Sequence, residues 1–126
     1  MDPLAEAMNT IKVFRNAGKD ECNVPASKLI KEVLSIMKGE RYIKEFEFVD
    51  DGRAGYYTVR GIGPVNECKP IKPRFNIKSD EIEKYEKQYL LSPDFGVLII
   101  STTKGVLTSK EARKHKIGGR LIAYIY

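Results

Sequence analysis

A run of basic side chains near the end of the chain is the densest cluster of positive charge in the sequence. The run places five cations within eleven positions, at Lys110, Arg113, Lys114, Lys116 and Arg120. On a helix, residues three and four positions apart are neighbours, so Lys110 with Lys114 and Arg113 with Lys116 would form two outward rows that repel one another. Such rows are typical either of a solvated helix face or of a surface that contacts nucleic-acid phosphates.

Three consecutive hydroxyl side chains precede this run. Ser101, Thr102 and Thr103 follow an apolar stretch and are themselves followed by Lys104 and Gly105. Hydroxyl groups both donate and accept hydrogen bonds, so they can satisfy base edges and ribose 2′-OH groups of an irregular RNA. Glycine allows a close backbone approach. The alternative is that the hydroxyls cap the end of a strand. Together with the nearby cations, they favour a composite RNA-binding site.

Residue types that carry catalysis are sparse. The single histidine, His115, lies between two lysines with no group to orient it, so we expect it at the surface. Cys22 and Cys68 have no further Cys or His at ligand spacing, so no metal site is predicted and the thiols are expected to be small fillers or inconsequential exposed groups. Gly61 and Gly63 lack the third glycine of a dinucleotide fingerprint and indicate a turn. We therefore predict a binding protein with no cofactor and no enzymatic activity.

The composition limits the class of protein. The chain has 126 residues, of which 31% are charged and 42% hydrophobic, which indicates one ordinary domain or two small ones and excludes a disordered tail. No apolar run reaches the ~18–20 residues of a membrane-spanning helix. The first residues do not resemble a signal peptide, and two cysteines make no disulfide framework, so a reduced, cytoplasmic location is expected. The net charge of +5 is uneven, with six basic and one acidic side chain in residues 101–126, three and five in residues 78–100, and 13 and 11 in residues 1–77.

The elements that position these groups follow from apolar spacing and from turn residues. Expected in the first part are a helix from an Asp2 cap to Gly18, a helix from Ala26 or Ser27 to Lys38, and strands over 42–49 and 55–62. In the second part we expect a helix over 79–89 capped by Ser79, a loop at Ser92-Pro93-Asp94, and a buried strand over 96–100. A polar loop over 101–105 follows this strand. The chain should then form a helix over 109–116, which stops at Gly118-Gly119, and a strand over 120–126. Thr108 and Glu111 match a capping box for the last helix.

These elements predict an α+β fold in two parts. An N-terminal α/β domain over residues 1–77, with two helices on a small sheet, is followed by a β-rich RNA-binding domain over residues 78–126 with short helices. The boundary is placed in a stretch rich in glycine and proline. Because a second part of this size buries little core alone, we expect the two parts to pack against each other as one rigid body.

The stretch Leu98 to Tyr126, LIISTTKGVLTSKEARKHKIGGRLIAYIY, is similar to the C-terminal signature of the small-subunit ribosomal protein S-eight family. That signature is a buried strand, Ser-Thr-x-x-Gly, two apolar residues, a short helix, Gly-Gly and a terminal strand. The N-terminal landmarks of the family resemble Asp2-Pro3-Leu4-Ala5 and Val24-Pro25-Ala26-Ser27-Lys28-Leu29. Arg120 stands where bacterial members commonly have Glu, which indicates the archaeal or eukaryotic-type branch.

The resemblance implies a protein of the small ribosomal subunit that binds an irregular helix in the central domain of small-subunit ribosomal RNA and promotes assembly. Its expected partners are that RNA, neighbouring small-subunit ribosomal proteins and, as for some members, its own messenger RNA, and the free protein is expected to be a monomer. The residues expected to bind RNA are Ser101, Thr102, Thr103, Lys104, Gly105, Lys110, Arg113, Lys114, Lys116, Gly118, Gly119 and Arg120. A second, weaker set comprises Asn9, Lys12, Pro25, Ser27, Lys28 and Lys31.

Two other classes of function stay open at this point. Tyrosines on the predicted strands could dock a protein partner, which would make the chain an adaptor whose charge serves solubility; they are Tyr42, Tyr56, Tyr57, Tyr124 and Tyr126. A small nuclease is the third class, and it predicts RNA cleavage on incubation. With no oriented base or metal cluster visible in the sequence, we expect RNA to stay intact.

Overall fold

The computed structural model of this protein describes residues 3–90 and 96–126. These residues form four α-helices and eight β-strands, joined by turns and loops. All strand pairs among them are antiparallel, and the helices are not interleaved with a parallel sheet, so the predicted α+β class is confirmed. The chain divides into two compact units at Asn66 and Glu67. The predicted Asp2 cap and the Ser92-Pro93-Asp94 loop lie outside the described residues.

The first unit has a three-stranded sheet with the strand order β1-β3-β2. Its elements are α1 (Pro3–Asn16), β1 (Glu21–Pro25), α2 (Lys28–Gly39), β2 (Glu45–Val49) and β3 (Tyr56–Arg60). β1 is absent from the predicted elements, because its inward pair Cys22 and Val24 is too short an alternation to stand out from the loop between two helices. Pairing with β3 makes this segment a strand.

Local signals fix both helices of the first unit. α1 ends at Asn16, and the predicted stop residue Gly18 follows it with a φ of +76°, which allows Lys19 N to donate to Phe14 O at 2.9 Å. α2 begins after Ser27, whose hydroxyl accepts a hydrogen bond from Ile30 N at 3.1 Å. Each helix buries one stripe, and the buried residues are Leu4, Ala7, Met8 and Ile11 in α1 and Ile30, Val33, Leu34 and Met37 in α2.

The second unit has a five-stranded sheet with the order β4-β8-β6-β7, and β5 also pairs with β8. Its strands are β4 (Cys68–Pro70), β5 (Asn76–Ile77), β6 (Val97–Thr102), β7 (Gly105–Thr108) and β8 (Gly119–Ile125). Its helices are α3 (Ile82–Tyr89), preceded by a 3₁₀ turn over Ser79–Glu81, and α4 (Ser109–Lys114). As predicted, β6 is buried on both faces, with Leu98, Ile99 and Ile100 fully inaccessible.

Two features of the second unit differ from the sequence-based expectation. The division between the units precedes the expected boundary at residue 77, because the short strands β4 and β5 pair with β8 in a stretch whose prolines predict irregular chain. The predicted Ser79 cap is wrong, since Lys78 holds the position before the turn and its N–H donates to Glu81 Oε1 at 2.8 Å. The first difference comes from long-range strand pairing, and the second comes from a contact between residues three positions apart.

Candidate nucleic-acid interface

The hydroxyl residues lie in a tight hairpin between β6 and β7. The predicted loop over 101–105 is wrong in extent, because Ser101 and Thr102 end β6 and Gly105 begins β7, directly opposite Thr102. Only Thr103 and Lys104 remain in the turn, and both side chains are exposed. Gly105 has a φ of +106° and open space around its Cβ position, so the turn needs glycine there for its backbone conformation.

The three hydroxyls differ in what they can offer to RNA. Thr102 Oγ1 donates to Gly105 O at 2.8 Å and accepts from Lys104 N at 3.0 Å, so its only proton is used to close the turn. Ser101 is half-buried in the strand, whereas Thr103 stands exposed at the tip. Thr103 is therefore the hydroxyl of the three that an external partner reaches most easily, and Thr102 holds the turn together.

Helix α4 carries the cationic run immediately after the hairpin. Its predicted cap is confirmed, because Thr108 Oγ1 accepts a hydrogen bond from Glu111 N at 3.2 Å. The helix ends at Lys114, before the predicted limit, and His115 follows it as an exposed cap residue. Lys116 takes the left-handed position with a φ of +55°, and Ile117 N donates to Ala112 O at 3.0 Å, so the stop does not depend on Gly118 and Gly119.

The cations of this region differ in their partners. Within the described part of the chain, Lys110, Lys114, Lys116 and Arg120 make no ion pair, and all four are exposed. Arg113 differs, because its Nε lies 3.1 Å from Glu86 Oε1 in α3. Four of the five predicted cations therefore keep their charge available to an external partner, and the fifth shares its charge with a buried acid.

Sheet register brings the hydroxyls and Arg120 together. Arg120 in β8 lies opposite Ser101 in β6 on one side and opposite Asn76 in β5 on the other, so the three side chains form a row across one face of the sheet. Asn76 is exposed and is not among the predicted residues. Its place in the row depends on the pairing of β5 with β8, and the sequence carries no local signal for that pairing.

Gly118 and Gly119 have a packing role in the structure. A Cβ on Gly118 would collide with Ile77 O, and a Cβ on Gly119 would collide with Ser101 O. Both glycines therefore let β8 lie against its neighbours, and this is the close backbone approach that the Gly-Gly pair provides.

Lys78 is a further cation of this region that is absent from the predicted set. Its Cα lies 2.9 Å from the position that a Cβ atom on Gly118 would occupy, and Lys78 is exposed.

The second set of predicted residues lies in the first unit. Pro25 ends β1, Ser27 caps α2, and Lys28 and Lys31 stand exposed in the first turns of that helix, so these four residues are continuous around one helix start. Asn9 and Lys12 are on α1, where Asn9 is exposed and Lys12 is half-buried.

The remaining reactive groups have structural surroundings. Cys22 and Cys68 are both buried, and burial, with a smaller contribution from the Glu21 carboxylate, raises the pKa of the Cys22 thiol to about 11. The thiol is therefore uncharged at neutral pH and acts as a small apolar filler. Over residues 3–90 and 96–126, no group of three metal-ligating side chains comes together, and no helix is long and apolar enough to cross a bilayer.

These features define a small α+β protein with an exposed cationic surface around a β-hairpin. The chain belongs to the ribosomal protein S8 family, since the family model described as "Ribosomal protein S8" matches residues 2–126. It is similar to the "Small ribosomal subunit protein uS8" of the archaeon Methanococcoides burtonii, with 50% identity over 127 residues that cover 100% of this chain and 98% of the relative. The resemblance that the C-terminal motif indicated is confirmed, as is its archaeal-type character.

Proposed function

We propose that this chain is a structural constituent of the small ribosomal subunit that binds small-subunit ribosomal RNA and promotes assembly, without catalysis. Its target is an irregular helix in the central domain of that RNA. The observation that carries the proposal is the cluster of exposed cations around the β6–β7 hairpin, which have no acidic partner within the described residues. Membership of a ribosomal protein family supports the assignment of the ligand.

The proposed mechanism divides the work between two kinds of group. Thr103 at the hairpin tip, with Ser101 behind it, reads base edges or ribose hydroxyls of unpaired nucleotides. Lys110, Lys114 and Arg120 contact phosphates and contribute affinity that falls with salt. The rigid sheet fixes the distance between the hydroxyls and Arg120, so a regular duplex and an irregular helix present different targets to this surface.

The first unit adds a second contact in this proposal. Lys28 and Lys31 stand exposed where β1 leads into α2. The N–H groups of a helix start attract anions, so phosphates suit this position as well as the lysines do. Neighbouring small-subunit proteins are further proposed partners in the assembled subunit, and the chain's own messenger RNA is a proposed competitor for the same surface.

The adaptor alternative finds no support in the packing of the tyrosines. Tyr57 is buried and contacts Phe46 and Phe48 edge-on, with ring centroids 5.6 and 5.8 Å apart. Tyr124 lies between Tyr89 and Tyr126 in a stack with centroid distances of 5.4 and 6.0 Å. These rings pack on one another within their own units, and membership of a ribosomal protein family favours RNA binding over the adaptor class.

A filter-binding titration of the full chain tests the proposal. The ligands are a central-domain fragment of small-subunit rRNA, a regular duplex of equal length, and the chain's own messenger RNA, each at two or more salt concentrations. We expect selective, salt-sensitive binding to the rRNA fragment, with the RNA recovered intact. Equal affinity for the fragment and the regular duplex would contradict a specific rRNA-binding function, and cleavage would support the nuclease class. Sedimentation of the free protein tests the expected monomer.

A further inference from the structure

Glu86 is a carboxylate of helix α3 that is buried beneath the cationic helix α4 and does not reach the surface. Its side chain is fully inaccessible in α3, next to buried residues such as Ile82. An ionised carboxylate without partners is costly in a protein interior, so a buried Glu is retained only where cations or hydrogen-bond donors surround it. The partners of Glu86 therefore indicate why the acid is there.

Both oxygens of Glu86 are directed at helix α4. Ser109 Oγ, in the first residue of that helix, donates to Glu86 Oε2 at 2.9 Å. The same Ser109 Oγ lies 3.4 Å from Leu98 N, which joins the contact to strand β6. Arg113 Nε, one turn further along α4, lies 3.1 Å from Glu86 Oε1 as an ion pair without hydrogen-bond geometry. One buried acid thus holds α4 at two points.

The contact with Glu86 constrains Arg113 in a way that no neighbouring lysine is constrained. A guanidinium is planar and carries five N–H donors in a fixed fork, so an ion pair that keeps Nε 3.1 Å from a buried acid limits the region that the terminal N–H groups can reach. The Arg113 side chain is 39% exposed, whereas Glu86 is fully buried, so the guanidinium reaches from the interior to the surface. Lys110 and Lys114 on the same helix are exposed ammonium groups on flexible stems.

We infer that Glu86 is a positioning residue that turns Arg113 into an oriented phosphate-binding group of the RNA surface. The inference rests on the proposed function. Lys110 and Lys114 attract any RNA backbone, whereas Arg113 favours an RNA whose phosphate lies where the fixed fork points. Glu86 thereby contributes to the preference for the cognate RNA over a regular duplex, although it contacts no nucleotide itself.

The test is a double-mutant cycle on binding to the cognate rRNA fragment and to a regular duplex. Glu86→Gln keeps an oxygen that accepts from Ser109 but removes the charge that holds Arg113. Arg113→Lys keeps the cation but removes the fork. We expect each single change to weaken cognate binding about tenfold, as for a lost hydrogen bond to a charged group, and the double change to weaken it little further.

Binding to the regular duplex separates positioning from damage to the fold. Glu86→Gln removes one negative charge, so duplex affinity should stay constant or rise slightly, while a loosened fold would lower both affinities. Glu83→Gln is the matched control, because Glu83 lies in the same helix, is exposed, and forms an exposed ion pair with Lys87 at 4.0 Å. We expect that control to leave the ratio of cognate to duplex affinity unchanged.

A spectroscopic readout follows Arg113 directly. In ¹⁵N-labelled protein, the Arg113 Nε–H resonance should be resolved and shift when the rRNA fragment binds, and in Glu86→Gln it should move to the position of a mobile arginine. If Glu86→Gln does not fold, Arg113→Lys decides the question alone through the same tenfold loss. Unchanged cognate affinity in Arg113→Lys, or additive losses in the cycle, would overturn the positioning role while leaving rRNA binding intact. Absence of cognate binding by the unaltered chain would overturn both proposals.

Discussion

Arg60 and Arg120 are arginines on strands of two different sheets, and their surroundings are opposite. Arg60 in β3 has three carboxylates around its guanidinium, from Glu47 at 3.5 Å, Glu45 at 3.7 Å and Glu21 at 3.9 Å. Arg120 in β8 has uncharged neighbours across the ladder and makes no ion pair within the residues that the structure describes. Strand register alone decides which of the two arginines is neutralised by its own sheet.

The difference shows that net charge is a poor guide to the function of a surface. In the first unit Arg60 is surrounded by three glutamates, so its positive charge is balanced within its own sheet. In the second unit the residues opposite Arg120 are Ser101 and Asn76, which offer hydrogen bonds and no countercharge. A phosphate can supply the missing countercharge at Arg120, whereas the carboxylates around Arg60 already supply it.

Disturbing the close approach of β8 to β6, which places Arg120 beside Ser101, should have the largest effect on stability and on RNA binding. In Gly119→Ala the new methyl group meets Ser101 O and lies 2.9 Å from Ile100 Cγ2, so β8 must move away from β6. We expect a loss of about 2–3 kcal/mol in the free energy of unfolding, measured by urea titration, together with loss of RNA binding. Gly39→Ala is the control in the first unit, since its Cβ has open space and alanine favours helix; it should change stability by about 1 kcal/mol or less. Equal effects at both glycines would show that the close approach is unimportant.

The next contrast lies within the hairpin that stands next to Arg120. Thr103→Ala should weaken cognate RNA binding by about 1–3 kcal/mol, because a base or ribose partner loses its hydrogen bond, and should leave both stability and the salt dependence unchanged. Thr102→Ala should cost about 0.5–1.5 kcal/mol of stability, since its hydroxyl makes two hydrogen bonds inside the turn. Filter binding measures the RNA affinity of both variants, and urea unfolding measures their stability. The division between reading and supporting hydroxyls is wrong if the two variants behave alike.

Helix α4 offers a test of the unpaired lysines. Lys110→Ala and Lys114→Ala should each flatten the dependence of log affinity on log salt by about 0.7–1, because each removes one phosphate contact. The expected change in stability is small, since both side chains are exposed and neither makes an ion pair within residues 3–90 and 96–126. Lys87→Ala in α3 is the control, a lysine that pairs with Glu83 in its own helix. A slope change in the control equal to that in α4 would assign the salt dependence to general charge.

Features with local causes could be predicted from the sequence. The Thr108 cap of α4, the Gly18 stop of α1 and the buried run of β6 each depend on residues within one turn or one strand. The hydroxyl and lysine candidates are also visible in the chain by their types and spacing, and their contact with RNA stays a prediction. Family membership followed from the C-terminal motif for the same reason, because that motif is a continuous stretch.

Features that depend on long-range pairing could not be predicted. β1 becomes a strand because β3 lies beside it, and Asn76 joins the hydroxyl–arginine row because β5 pairs with β8. Glu86 is an acid on the face of α3 that also carries the buried Ile82, and its carboxylate is accommodated there by Arg113 and Ser109 of another helix. In each case the deciding partner is distant in sequence, and propensity or periodicity carries no information about it.

The smallest effect is expected from replacing each of the two compared arginines, Arg60 and Arg120, by glutamine. Arg60→Gln should lower stability by about 1 kcal/mol or less, because exposed ion pairs are weak, and 1 M salt should remove most of the loss by screening the three glutamates left behind. Its salt slope for RNA binding should equal that of the unaltered chain. Arg120→Gln should do the reverse, with stability unchanged and the slope reduced by about 0.7–1. If Arg60→Gln also reduced the slope, the acids around Arg60 would not be holding its charge, and the neutralised sheet face would have to be included in the RNA surface.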